Sequence, residues 1–109
     1  MKIPAVDAAA SAAFYAEVFG WNIRGDGARP SFDDLDGTLS GSFETDQAVS
    51  ESPGLLPFVY VDAIDDACAR VVAAGGRIRE EPYPEGGLWV ATFYDPAGNV
   101  VGLWHAGDR

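Results

Sequence analysis

Asp95-Pro96-Ala97-Gly98-Asn99-Val100-Val101-Gly102 lies over Asp34-Leu35-Asp36-Gly37-Thr38-Leu39-Ser40-Gly41 at an offset of sixty-one, with aspartate on aspartate at the start and glycine on glycine at two later positions. Working outward, a second match appears at an offset of fifty-five. Val6-Asp7 opens a segment that runs through Ala8 to Phe19 into Gly20-Trp21-Asn22-Ile23-Arg24, and Val61-Asp62 opens another through Ala63 to Ala74 into Gly75-Gly76-Arg77-Ile78-Arg79. The two offsets differ by a six-residue insertion between the matched blocks. Two tandem copies of one small unit imply a pseudo-symmetric fold, and a ligand site is expected between the halves.

Each copy reads as β-α-β-β-β. Ile3 to Val6 has the character of a short strand, and Asp7 is a good N-cap for the Ala-rich stretch that follows, ended by Gly20. Trp21 to Arg24 reads as a strand, Gly25-Asp26-Gly27 as a turn, and Ser31 to Asp36 with Thr38 to Phe43 as a hairpin about Asp36-Gly37, a type I′ signal. Thr45 to Gly54 is polar and aperiodic, the composition of a linker. In the second copy, Leu56 to Val61 predicts a strand, Asp62 the cap of a helix to about Ala74, and Arg77 to Glu81 a strand. Tyr83 to Gly87 then reads as a loop, Leu88 to Tyr94 as a strand, and Val100 to His105 as the last strand beyond the Asp95 turn. The fold class is α+β: one domain over 1–109, with module one at about 1–44, a linker at about 45–55 and module two at about 56–105.

The chain's 109 residues suit one domain with a real core. Seven Lys plus Arg against seventeen Asp plus Glu give a net charge of −10, which repels phosphate backbones and anionic lipid, so neither nucleic acid nor a membrane is an expected partner. The lone Cys68 reads as a small core residue, and with no signal-like apolar run at the start, a cytoplasmic location is expected.

The strings Phe93-Tyr94-Asp95-Pro96-Ala97-Gly98-Asn99-Val100-Val101-Gly102-Leu103-Trp104, Ala13-Phe14-Tyr15-Ala16-Glu17-Val18-Phe19-Gly20-Trp21 and Phe58-Val59-Tyr60-Val61-Asp62 resemble the vicinal oxygen chelate superfamily, which holds glyoxalase I, bleomycin-resistance proteins, extradiol dioxygenases and fosfomycin-resistance enzymes. The resemblance implies paired βαβββ modules whose curled mixed sheets surround a cavity, and commonly a homodimer. In metal-dependent members, it also implies a His early in each first strand and a Glu on each last strand. Carried onto this sequence, the His slots fall on Met1 and Leu56 and the Glu slots on Gly41 and Gly102, none of which offers an imidazole or a carboxylate. No metal, other cofactor or catalytic residue is therefore expected.

Strand alternation extends this register. If Gly102 faces the cavity, so do Val100 and Trp104, while Val101 and Leu103 face the helices; Leu56, Phe58 and Tyr60 follow from the second module's first strand, and Phe43 follows from Gly41. Tyr94 is a further candidate wall residue, whereas Trp21 reads as core and His105 as a surface or capping residue. The expected function is small-molecule binding of the glyoxalase or bleomycin-resistance type, with an aromatic or cationic organic ligand. The alternative is a glyoxalase-like lyase or dioxygenase-related enzyme using the same cavity.

Overall fold

A computed structural model describes residues 1–25, 30–50 and 54–109. The first half contains β1 (Lys2–Pro4), α1 (Ala8–Phe19), β2 (Asn22–Arg24), β3 (Ser31–Asp33) and β4 (Ser40–Glu44). The second contains β5 (Phe58–Tyr60), α2 (Ile64–Ala73), β6 (Arg77–Glu85), β7 (Leu88–Tyr94) and β8 (Val100–Ala106). Each half builds a four-stranded mixed sheet, ordered β1-β4-β3-β2 and β5-β8-β7-β6, with the first strand parallel to the last and the others antiparallel. The fold is thus α+β, two βαβββ modules with open sheets. The Asp26-Gly27 part of the first turn and residues 51–53 of the linker lie outside the described residues.

Local chemistry explains the helix ends. Asp7 accepts a hydrogen bond from the Ala10 amide, and Gly20 closes α1 in the left-handed region with its amide on the Ala16 carbonyl. The second helix departs from expectation, because its cap residue is Ala63 and the Asp62 side chain makes no cap bond. The acceptor comes from across the fold: Nδ1 of His105, on β8, receives the Ile64 amide at 3.0 Å, and Nε2 faces the Asp108 carbonyl at 3.0 Å. His105 is only 1% exposed, so of the two roles expected for it, capping is the one it fills.

Two turns differ from the sequence reading. Among the described residues none other than glycine has positive φ, so Asp36-Gly37 is not a type I′ turn; the strands instead end at Asp33 and resume at Ser40. The intervening loop is held by Asp34 Oδ1 on the Leu39 amide and by the Asp36 carboxylate on Thr38. Conversely, the expected Tyr83–Gly87 loop is mostly strand. β6 runs to Glu85, its register broken between Ile78 and Glu80 and again between Glu80 and Tyr83, around Pro82, as an edge strand tolerates, and only Gly86-Gly87 turns, at φ 56° and 83°.

Superposing the pairings shows where the repeat shifts. Opposite residues are Lys2 and Ser42 in the first sheet, and Phe58 and Gly102 in the second; the helices start at Ala8 and Ile64. The correspondence is therefore fifty-six at the first strand, fifty-five at Ile23 and Ile78, sixty-one at Phe32 and Phe93, and sixty in the last strand. One extra residue in the Asp34–Leu39 loop makes the last shift. It pairs Ser42, not Gly41, with Gly102, and Phe43 with Leu103 rather than with Trp104.

The helix-side faces of both sheets share one core. Phe32 and Phe43 pack with Tyr15 of α1, Leu103 and Phe93 lie in the same cluster as Ile64 and Val71 of α2, and Phe14 reaches Phe93 across the halves at 5.8 Å.

Candidate functional site: a cleft at the seam

The edge strands β1 and β5 hydrogen-bond only to β4 and β8 within their sheets, and between them lies a cleft of about 680 Å³. Its walls are Met1 to Pro4 on one side and Leu55 to Val59 on the other, with Leu39, Tyr15, Trp21 and Asn99 to Val101 completing it. The size falls within the range of small-molecule sites, roughly 300–1,000 Å³.

The Asp95 turn holds this seam in place. The Asp95 carboxylate, 4% exposed, accepts the Ala97 and Asn99 amides at 2.9 Å each, the Asn99 side-chain amide at 2.8 Å, and the Tyr15 hydroxyl of the other half at 2.8 Å. The Asn99 side chain also donates to the Pro4 carbonyl on β1 at 2.6 Å. One aspartate thus orders its own turn and staples that turn to the helix and first strand of module one. Burial and the facing Asp95 charge push the Tyr15 hydroxyl well above its ordinary pKa, so it remains a donor.

The anticipated wall residues separate into groups. Leu56, Phe58 and Val100 line the seam cleft. Tyr60, half exposed, stands edge-on to Trp104 at 4.8 Å and lines a second recess of about 590 Å³ together with Asp34, Asp36, Asp62 and Asp66. Tyr94 lies beneath the Arg77 guanidinium at 4.5 Å. Gly102 does not leave open space, because the Phe58 ring already occupies the volume that a side chain would take. Phe43 is a correction: it is fully buried against Tyr15 and Phe32, because the longer Asp34–Leu39 loop rotates it to the helix side. Gly41 is likewise closed off, by the Phe32 ring and the Met1 carbonyl. Lys2, Ile3, Asn99 and Trp21 were not anticipated as cleft residues. The signal for Lys2 was present in the repeat, since it corresponds to Phe58 once the one-residue shift is made.

The positions corresponding to a metal site do not fit a chelated cation. Leu56 and Gly102 bring no donor, and the Ser42 hydroxyl is given to the Glu44 carboxylate at 2.5 Å. Among the described residues, no three His, Cys, Asp or Glu side chains come together as a metal-holding group.

Paired βαβββ modules with a ligand-sized cleft at their seam define a protein of the vicinal oxygen chelate type. The chain matches the model of the glyoxalase-like domain over residues 1–103 and belongs to that family. Among curated proteins there is no significant match. Solved structures carry the same fold. A glyoxalase/bleomycin resistance protein/dioxygenase family enzyme from Burkholderia phytofirmans PsJN has a TM-score of 0.78 at 21% identity, covering 98% of this chain and 96% of that one. The fosfomycin resistance protein FosX from Mesorhizobium loti gives 0.78 at 19%, covering 99% and 89%. TnmS3, an antibiotic binding protein from Streptomyces sp. CB03234, gives 0.75 at 25%, covering 98% and 93%.

Proposed function

We propose that this chain is a metal-free small-molecule binding protein whose seam cleft takes an aromatic organic ligand. The observation that carries this reading is the cleft itself: a ligand-sized space walled largely by apolar groups at the pseudo-symmetric junction, with Leu55, Phe58 and Met1 left 93%, 42% and 47% exposed at its walls. The structural likeness to an antibiotic binding protein supports the same class of role. The aromatic walls suggest an aromatic ligand and the net charge a cationic one; four aspartates line the second recess and no described acidic side chain lines the seam, which favours the aromatic ligand for the cleft.

The test is saturable binding of a neutral aromatic dye, N-phenyl-1-naphthylamine, followed by its own emission and by that of Trp21 on the cleft wall. Displacement by members of an aromatic natural-product panel is the expected result. Absence of saturable binding by the dye and by every member of that panel rejects the reading. Pairing of two copies belongs to the same proposal, supported by the exposed Leu55 and Tyr60, and sedimentation equilibrium tests it directly.

A further inference from the structure

The cleft has a polarity that the net charge conceals. Lys2 is the only lysine of the chain, and it lines the cleft. The described arginines are engaged: Arg24 with Asp33, Arg70 with the Val18 carbonyl, Arg77 over Tyr94, Arg79 with Glu80, and Arg109 with Asp65. Among the described residues, Lys2 is the one cationic side chain without an ion pair, hydrogen bond or ring contact, in a chain with seventeen acidic residues. No acidic side chain belongs to the described wall of this cleft.

The pseudo-symmetry sharpens the point. Lys2 opposes Ser42 as Phe58 opposes Gly102, so Lys2 and Phe58 hold the same place in the two halves and both line the cleft. One half presents an aromatic ring, and the other, at the equivalent position, a free ammonium. We infer that the ligand is an aromatic anion, a ring system bearing a carboxylate, sulfonate or similar group, with the ring against Phe58 and the anion toward Lys2. This rests on the proposed binding role and names its ligand class.

The experiment compares two dyes that differ by one sulfonate, 8-anilino-1-naphthalenesulfonate and the neutral N-phenyl-1-naphthylamine, on the full chain and on Lys2→Met and Lys2→Arg. An exposed ion pair is worth little, so the expected effect is modest: Lys2→Met weakens the sulfonated dye about three- to fivefold at low salt and leaves the neutral dye within twofold. Lys2→Arg retains the sulfonated dye's affinity, and raising the salt concentration abolishes the difference between wild type and Lys2→Met. Equal weakening of both dyes, or no weakening of either, overturns the inference while leaving the binding role intact. Failure of both dyes and of the natural-product panel to bind the wild-type chain rejects the binding role and the inference together.

Discussion

The two halves share a backbone plan yet present opposite chemistry on their open faces. In the second half, the face turned away from α2 carries Phe58, Tyr60 and Trp104; in the first, the corresponding positions are Lys2, Pro4 and Glu44, with Ser31, Asp33 and Ser42 beside them. Two-fold symmetry of the fold therefore does not extend to the site. At the seam cleft itself the difference comes down to Phe58 on one side and Lys2 at the equivalent place on the other, between walls that are otherwise largely apolar.

The turns that follow β3 and β7 differ just as much, and this comparison predicts the largest effect. Asp34 and Asp95 begin equivalent loops, with Gly37 and Gly98 donating back to them in the same way. Asp34 otherwise serves only its own loop, whereas Asp95 also receives Tyr15 from the other half. Asp95→Ala should cost about 3–4 kcal/mol in urea unfolding, because a buried hydroxyl and several amides lose their acceptor at once, while Asp34→Ala should cost about 1 kcal/mol. Equal losses would show that the seam does not depend on the staple.

The helix caps give the next contrast. Asp7 caps α1 from the adjacent residue, and His105 caps α2 from forty-one positions away. Asp7→Ala removes one exposed bond, at about 1 kcal/mol. His105→Ala leaves the buried Ile64 amide unpaired and opens a void, so about 2–3 kcal/mol is expected from the same unfolding curves. A His105→Ala loss no greater than that of Asp7→Ala would refute the long-range cap.

At the cleft the expected effect is smaller. Phe58→Ala should weaken the neutral dye about tenfold in a fluorescence titration, since the ring supplies apolar area on the aromatic wall. Its counterpart Lys2→Ala should leave that dye within twofold. A neutral dye indifferent to Phe58 would move the aromatic contact elsewhere, to Trp21 or Tyr15 in the same cleft or to Tyr60 in the second recess.

How legible the molecule was in its sequence follows from which signals are local. α1 was readable to the residue because Asp7 and Gly20 mark both of its ends, and β7 because Leu88 to Tyr94 is apolar between clear turns. The register between halves was readable in the middle and shifted by one at the outer strands, where a shorter helix and a longer Asp34–Leu39 loop each move the chain by one residue. In a strand one residue is a whole face, and that sent Phe43 into the core and hid Lys2. Leu56, Phe58 and Val100 do line the cleft, in the half that has no such insertion. The Asp95–Tyr15 contact was not legible, and for His105 a capping role could be read but not its partner Ile64, since each contact joins residues whose proximity exists only after folding.

Tyr15 offers the subtlest test of the asymmetry, because the corresponding residue of α2, seven positions after the helix start, is Val71, which does not titrate. The phenol ordinarily loses its proton near pH 10.0; in the fold, burial and the neighbouring Asp95 carboxylate raise that value. A raised folded value means that the fold favours the protonated form. The stability so contributed is fully present below pH 10 and is lost as pH rises beyond it toward the folded value. Absorbance at 295 nm should therefore show at least one of the four tyrosines ionising only together with the loss of helical circular dichroism. Tyr15→Phe should remove that coupling, at a cost of about 1–2 kcal/mol at neutral pH from the Asp95 acceptor left short of a donor. Complete tyrosine ionisation before any loss of helix would mean that the hydroxyl is open to solvent, and the seam staple would then reduce to the Asn99–Pro4 contact alone.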